Sequence, residues 1–384
     1  MAATEKGVWD LQEVRDKQLA SEWEYTEVFE LWSWGANQEG VWGRNLGPPG
    51  AVSSPVQVAS NWSGLWNQAA TTSSRAFAFQ NPNELWTWGS NSYGGLGLNK
   101  PPGHRRSSPT QVTGTWNNVQ MGTYGAIAVK NENELYIWGY NSDGQLGLNN
   151  QTHISSPTQI PGEWSSARYA ITHSSLNSGG VKTDGTLWLW GQNDQGQLGQ
   201  GNNTKESSPK QVPGTTWSSI SNGSNFYCAL KTPGSAHVCG NNNYGQLGLN
   251  DTTNRNTFQQ IPGTWSRFSS SVGTASLGVK TDGTLWTWGR NTKGQLGHNN
   301  RDDYSSPKQV GTSTDWVGAK IVASSENWQA VKNDGTLWVW GNNEEGELGL
   351  NEGNTGSRSS PTQLPGTSWA HVGYGGKCMY ALKT

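Results

Sequence analysis

Charge, cysteine and long apolar runs are all scarce in this sequence. Only 14% of its 384 residues are charged and the formal net charge is -2, so nothing draws the chain to nucleic acid or to an acidic membrane surface. Cysteine occurs three times, at Cys228, Cys239 and Cys378. That is too few for a disulfide scaffold, and the spacing fits no metal site. No run of about 18 apolar residues exists that would span a membrane. Met1 to Asp10 lacks the basic and apolar regions of a secretory signal, which predicts synthesis in a cytoplasm, with any extracellular role needing another export route. Hydrophobic residues make up just 32% of the chain, whereas glycine (51) and tryptophan (23) are abundant. A few large aromatics among many Gly, Asn, Ser and Thr is the composition of a turn-rich all-β protein.

What the sequence does contain is repetition, which overrides the two or three domains suggested by length alone. The pattern Trp-Gly-x-Asn-x-x-Gly-x-x-Gly has its first glycine at Gly35, Gly89, Gly139, Gly191, Gly240, Gly289 and Gly341. Asparagine follows two residues later in each copy, from Asn37 and Asn91 to Asn343. The spacing of roughly 50 residues is that of a propeller blade. Ahead of each first glycine lies a period-two run such as Leu285-Trp286-Thr287-Trp288, which reads as a strand. A second strand, Leu277 to Lys280, is joined to it by Thr281-Asp282-Gly283-Thr284. Asp-Gly between two such runs predicts a type I′ hairpin with both central residues at positive φ. The repeated glycines and asparagines are expected to supply positive φ in the turn after the strand.

A tryptophan opens each blade: Trp66 (or Trp62), Trp116, Trp164, Trp217, Trp265, Trp316 and Trp369. A Ser-Ser-Pro-x-Gln connector runs between blades, and in one copy, Thr257-Phe258-Gln259, the proline is lost. The two ends complement each other. Tyr380 to Thr384 matches the third strand of a blade, and Glu30 to Trp34 matches the fourth strand of a blade without its first three. The expected fold is therefore an all-β, seven-bladed β-propeller closed by pairing of the N- and C-terminal strands, with a short N-terminal extension. Closure removes the exposed edges of an open array.

These motifs resemble the regulator of chromosome condensation repeat family over about residues 29–384. The resemblance implies the propeller but says little about function, because the family includes nucleotide exchange factors acting on small GTPases, a plant ultraviolet photoreceptor and secreted inhibitors. The photoreceptor's Gly-Trp-Arg-His-Thr motif is absent here.

No catalytic, cofactor or metal site is read from the residues, and no enzyme is expected. The repeated glycines lack the Lys-Ser/Thr and following helix of a phosphate-binding loop. His104, His153, His173, His237, His298 and His371 are scattered singly, and no Gly-x-Ser-x-Gly elbow occurs. Asp302-Asp303 and Glu344-Glu345 read as solvated loop charge, with a carboxylate pair assembled across blades left open. All tryptophans except Trp9, Trp23, Trp42 and Trp328 hold repeat positions and are expected to stack between blades. Those four are the candidates for surface contact. In blade 4 the turn Thr232-Pro233-Gly234-Ser235 sets Thr232 opposite Ser235, which places Cys228 across from Cys239. Free buried thiols are expected there, because directly opposed strand positions rarely suit a disulfide.

Residues 1–28 lie outside the repeat and carry Trp9, Leu11, Val14 and Trp23 as candidate docking residues. The stretch from Gly7 to Trp23 resembles the opening of structural and tail-fibre-like proteins of tailed bacteriophages. That resemblance implies a virion-associated protein: segment 1–28 anchors to other virion proteins, and the propeller of 29–384 displays a surface for host carbohydrate or protein. The irregular insertions Gly47-Pro48-Pro49-Gly50 and Pro101 to Arg106 are the candidate binding loops, with His104, Arg105 and Arg106. The alternative is a cytoplasmic propeller scaffold or regulator of a small GTPase. Neither reading involves membrane insertion or nucleic acid.

Overall fold

The structure, a computed structural model, describes residues 30–37, 39–46, 50–58, 66–72, 74–80, 83–270, 273–323, 326–352, 356–373 and 378–383. The period-two runs become 28 strands arranged as seven four-stranded antiparallel sheets. Blade 5 shows the pattern, with strands Trp265–Ser270, Ala275–Lys280, Leu285–Gly289 and Tyr304–Gln309 in sequential order. The first strand of each blade packs on the first or second strand of a neighbouring blade, which places the first strands around the axis. The Ser-Ser-Pro-x-Gln segments, expected as connectors, are the outermost strands. An edge strand has one unpaired side, so it tolerates a proline that cannot donate to a ladder.

That correction changes how the ring closes. Trp369–Gly373 and Cys378–Lys383 join Glu30–Ala36 and Ala51–Gln57 in one sheet. The pairing runs from Glu30↔Lys383 to Gly35↔Cys378. The termini thus contribute two strands each, not three and one, because the proline strand closes the outside of its own blade instead of opening the next.

Two local expectations also change. In the hairpin of blade 5 only Gly283 has positive φ, at 80°. Gly283 N–H donates to Lys280 O and Lys280 N–H to Thr284 O, each at 3.0 Å. This is a three-residue loop that needs one left-handed residue, not a type I′ turn that needs two. Asp282 Oδ1 instead accepts from Thr284 N–H at 3.0 Å and from its hydroxyl at 2.6 Å. The repeated asparagine, likewise, is a hydrogen-bonding residue and not a positive-φ one. Asn141 Oδ1 accepts from Leu146 N–H at 2.8 Å, and its Nδ2 donates to Asn150 O and Thr152 O on the other limb of the loop.

The core consists of slabs between adjacent blades, as the tryptophan pattern implied. Phe77, Phe79, Leu85 and Val112 of blade 1 pack on Trp116, Val119 and Trp138 of blade 2. The tryptophan before each first glycine reaches into the preceding blade's loop. Trp138 Nε1 donates to Gly95 O at 3.1 Å and Trp288 Nε1 to Gln246 O at 2.9 Å. A Cβ on Gly97 would lie 2.8 Å from the Trp138 ring, so the third glycine of one blade makes room for the tryptophan of the next. Blade 4 has Cys239 at the tryptophan position. There Cys239 Sγ–H donates to Gln197 O at 3.2 Å. Phe258, standing where other blades have proline, fills the space, 2.6 Å from a Cβ placed on Gly199.

The cysteine pairing expected in blade 4 does not occur. The hairpin sets Lys231, not Thr232, against Ser235, so Cys228 faces Val238 and Cys239 faces Tyr227. A shift of one residue puts the two thiols on opposite faces of the sheet and in different inter-blade cores. All three cysteines are free and buried.

Candidate functional site

Four rings gather on one rim of the propeller, where blades 1 and 2 meet. Tyr93 and His153 come from the loops between third and fourth strands, Tyr140 directly follows a third strand, and Tyr124 comes from the turn between first and second strands. Tyr93 is central: its ring centroid lies 5.4 Å from Tyr124, 4.8 Å from Tyr140 and 5.1 Å from His153. Tyr140 and His153 stack at 4.9 Å with an interplanar angle of 28°. Tyr93 is 38% exposed and Tyr124 39%, and together with Tyr244 and Leu46 they are the large hydrophobics most exposed among the described residues.

Buried polar contacts hold this cluster in place. Arg75, wholly buried beneath it, donates from Nε to Ser90 O at 2.7 Å and from Nη2 to Ser92 O at 2.8 Å. Its Nη1 donates to Thr123 O. One guanidinium therefore ties the loop that carries Tyr93 to the turn that carries Tyr124, and its Cζ sits 5.8 Å from the Tyr124 ring. Burial lowers the Arg75 pKa to about 10, which leaves it cationic at neutral pH. His153 Nδ1 accepts from Asn141 N–H at 3.0 Å, which fixes the imidazole against Tyr140. Tyr93 itself adopts φ 58°, a left-handed conformation costly for an aromatic residue and sustained here by the surrounding contacts.

Such an arrangement can bind. Rigid aromatic surface backed by a buried cation is what protein-binding hot spots are made of. Among the described residues no group of three His, Cys, Asp or Glu is placed to hold a metal ion, and no helix is long and apolar enough to cross a membrane. Two imidazoles are strongly shifted, His298 to about 4 and His173 to about 3, the latter through burial and the nearby Arg75. His173 hydrogen-bonds Ser178 inside the blade at 2.6 Å.

The Regulator of chromosome condensation (RCC1) repeat matches residues 83–127, 132–175, 184–230, 282–324 and 334–382, and a second form of it matches 217–246. The chain belongs to this family. The solved structures of RCC1-like propellers superpose on nearly all of it. Human WBSCR16 has 19% identity and a TM-score of 0.79, covering 93% of this chain and 99% of its own. Prp20p from Saccharomyces cerevisiae, described with its binding properties to Gsp1p and histones, has 18% identity and a TM-score of 0.77, covering 93% of this chain and 92% of its own. Yeast RCC1 (Prp20), in a structure with Kap60 bound, has 17% identity and a TM-score of 0.76, covering 100% of this chain and 94% of its own. At these identities the likeness shows the fold. No curated protein sequence matches the chain.

Within this RCC1-repeat propeller the residues expected from sequence separate into three groups. Trp9, Leu11, Val14 and Trp23 lie outside the described residues, as does most of the insertion Gly47 to Gly50. Trp42 and Trp328, expected at the surface, are 6% and 0% exposed. Trp42 donates from Nε1 to Gly35 O at 3.2 Å under the Arg44 guanidinium, and Trp328 packs against Trp340 with centroids 6.1 Å apart. Both rings fill space between blades although they stand outside the repeat pattern. His104 and Arg105 are exposed in the same blade 1 loop as Tyr93, and half-buried Arg106 opens the outermost strand that follows. Arg105 pairs with Glu39 of blade 7 at 3.7 Å.

The tyrosines were missed because their signal is a departure from the repeat, not a motif. At the Tyr93 position blade 4 also carries a tyrosine, Tyr244, and the other blades carry Glu39, Asp143, Gln195, Lys293 and Glu345; at the Tyr140 position the others carry Ala36, Ser90, Gln192, Asn241, Arg290 and Asn342. Aromatic residues at loop positions that are mostly polar were visible in an alignment of the chain with itself, but only the structure shows that Tyr93 and Tyr140 of adjacent blades meet.

Proposed function

We propose that this chain is a non-enzymatic propeller scaffold that binds a protein partner through the rim of blades 1 and 2. The observation that carries the reading is the exposed Tyr93–Tyr124–Tyr140–His153 cluster held from beneath by Arg75. Pre-organised aromatics spend little conformational entropy on binding. Farther along the same loop, exposed His104 and Arg105, the latter paired with Glu39, would extend the contact with polar groups. Family membership supports a protein partner: Prp20p is described with Gsp1p and histones, and the family's exchange factors act on small GTPases. A small GTPase is accordingly the first partner class to test, with the chain as its regulator or platform. The virion reading rests on Gly7 to Trp23, outside the described residues, and no comparison supports it, so it is not carried forward.

The test is affinity capture with the immobilised full chain and with a Tyr93→Ala/Tyr124→Ala variant, using lysate of the source organism and quantitative mass spectrometry. The wild type should retain a small set of proteins, small GTPases among them. The variant should retain them at least about tenfold less, as expected for loss of two hot-spot aromatics, while melting at a temperature close to wild type. Equal retention by both proteins would remove the rim from consideration.

A further inference from the structure

The axis of the propeller is lined by the innermost strands Trp66–Thr71, Trp116–Met121, Ile171–His173, Trp217–Asn222, Trp265–Ser270, Trp316–Ala323 and Trp369–Gly373. None of these segments contains an aspartate or glutamate, whereas Arg267 occurs in one of them. Blade 3 adds a further cation by breaking its own register. Between Ser165, whose N–H donates to Val181 O, and Ala170, whose O accepts from Val181 N–H, residues Ser166 to Tyr169 bulge away from the sheet. The bulge carries Arg168 and Tyr169 and is pinned from both neighbouring blades. Asn118 Nδ2 donates to Ala167 O, and Ile220 N–H donates to Tyr169 O, each at 2.8 Å.

Two guanidinium groups from different blades meet around the Tyr169 ring, Arg267 Cζ at 3.3 Å from its centroid and Arg168 Cζ at 5.6 Å. Arg168 Nη1 also lies 3.5 Å from His371 Nδ1 of blade 7. Arg267 is only 9% exposed and has a weak bond from Nη2 to Ile321 O at 3.4 Å, while its Nε and Nη1 have no hydrogen-bond partner. Burial and the charge of Arg168 both act against its protonated form, yet a guanidinium does not give up its proton in a protein. Beside it opens a cavity of about 400 Å³ lined by Tyr169, Ser219, Ser221, Arg267 and Phe268 among others. Buried donors of a charged group without acceptors are rare in native proteins and call for a partner.

We propose that this cavity binds a small phosphate-bearing molecule, its oxyanion held by Arg267 with the hydroxyls of Ser219 and Ser221 alongside, and with Arg168, beside the Tyr169 ring that lines the cavity, adding positive charge from blade 3. Guanidinium groups approaching from separate blades suit an anion with three or more acceptor oxygens, which phosphate has and a single carboxylate lacks. The site is independent of the aromatic rim. It would make the ring responsive to a metabolite, since a ligand that bridges blades 3 and 5 stabilises the closed propeller by mass action.

Thermal unfolding of the full chain tests this, with inorganic phosphate, pyrophosphate or citrate added at constant ionic strength. Phosphate and pyrophosphate should raise the melting temperature of the wild type in a saturable way, with citrate much less effective. Arg267→Met should abolish the shift and Arg168→Gln should raise the concentration needed at least about tenfold. An exposed control, Arg301→Gln, should behave as wild type. Without added anion Arg267→Met should melt at or above the wild type, because a buried unpaired charge has been removed. If Arg267→Met fails to fold, Arg168→Gln gives the same reading alone. No saturable shift in the wild type, or an undiminished one in the arginine variants, would overturn the site. A citrate shift as large as that of pyrophosphate would overturn the assignment to phosphate.

Discussion

His173 shows what a single residue contributes to the stability of this ring. It is fully buried as the neutral imidazole, bonded to Ser178, with its pKa held near 3 against 6.5 for the free side chain. The unfolded chain therefore binds a proton between pH 6.5 and about 3 that the folded chain refuses. The stability is fully present above the unfolded value and drains away as pH falls towards the folded one. The loss approaches about 1.4 kcal/mol per pH unit for one such group. Urea unfolding from pH 7 to pH 4 should show this acid slope in the wild type, and His173→Gln should flatten it by about one proton's worth. A slope unchanged in the variant would place the acid sensitivity elsewhere. Composition could not have singled out this histidine from the other five. Its burial depends on where the blade 2 and blade 3 loops close over it, and that contact is not local in sequence.

Whole elements carry compensations that single positions hide. Blade 4 lacks the tryptophan that staples its neighbours, and the sequence shows both the loss at Cys239 and the missing proline at Phe258 without linking them. The structure links them: Phe258 occupies the volume beside Gly199 and packs on Trp217 with centroids 5.2 Å apart. Restoring only the consensus tryptophan should therefore hurt. Cys239→Trp is expected to cost roughly 1–3 kcal/mol through overpacking, and Cys239→Trp/Phe258→Pro should recover most of it. A double-mutant cycle in urea would measure that coupling; strictly additive effects would show that the two sites do not share one cavity. The same blade explains the failed cysteine pairing. Its turn residues are plain in sequence, but a strand register is fixed by where the hairpin's hydrogen bonds fall, and an error of one residue moves every side chain to the other face.

Closure is a property of the whole molecule. The two termini are far apart in sequence yet share the sheet of blade 7 through the central pair Glu30–Ala36 and Cys378–Lys383. A proline in that seam removes a ladder bond and strains the strand. Ala381→Pro, opposite Trp32, should cost more than about 3 kcal/mol and release a species that self-associates through its open edges. Ala51→Pro, at the start of the outermost strand of the same blade, should be far milder. Urea unfolding with size-exclusion chromatography would read both. Equal effects from the two prolines would mean the seam does not hold the ring.

The number of blades was legible because the repeat is written seven times over, and the pairing of the two termini because their strands complete one blade; that the proline segment is each blade's outermost strand, so that each terminus gives two strands, only the structure decided. The inter-blade role of the repeat tryptophans was legible from the repetition too. What else the tertiary structure decided is everything written once. Trp42 and Trp328 read as surface residues because they break the pattern, yet the packing between blades absorbs them. Tyr93, Tyr124, Tyr140 and His153 come from two loops, a turn and a strand end that the packing of blade 1 on blade 2 brings together, over an arginine buried where those blades meet. Arg168 and Arg267 stand about a hundred residues apart in different blades of a repeat array, and they meet because a closed ring turns its first strands towards one axis.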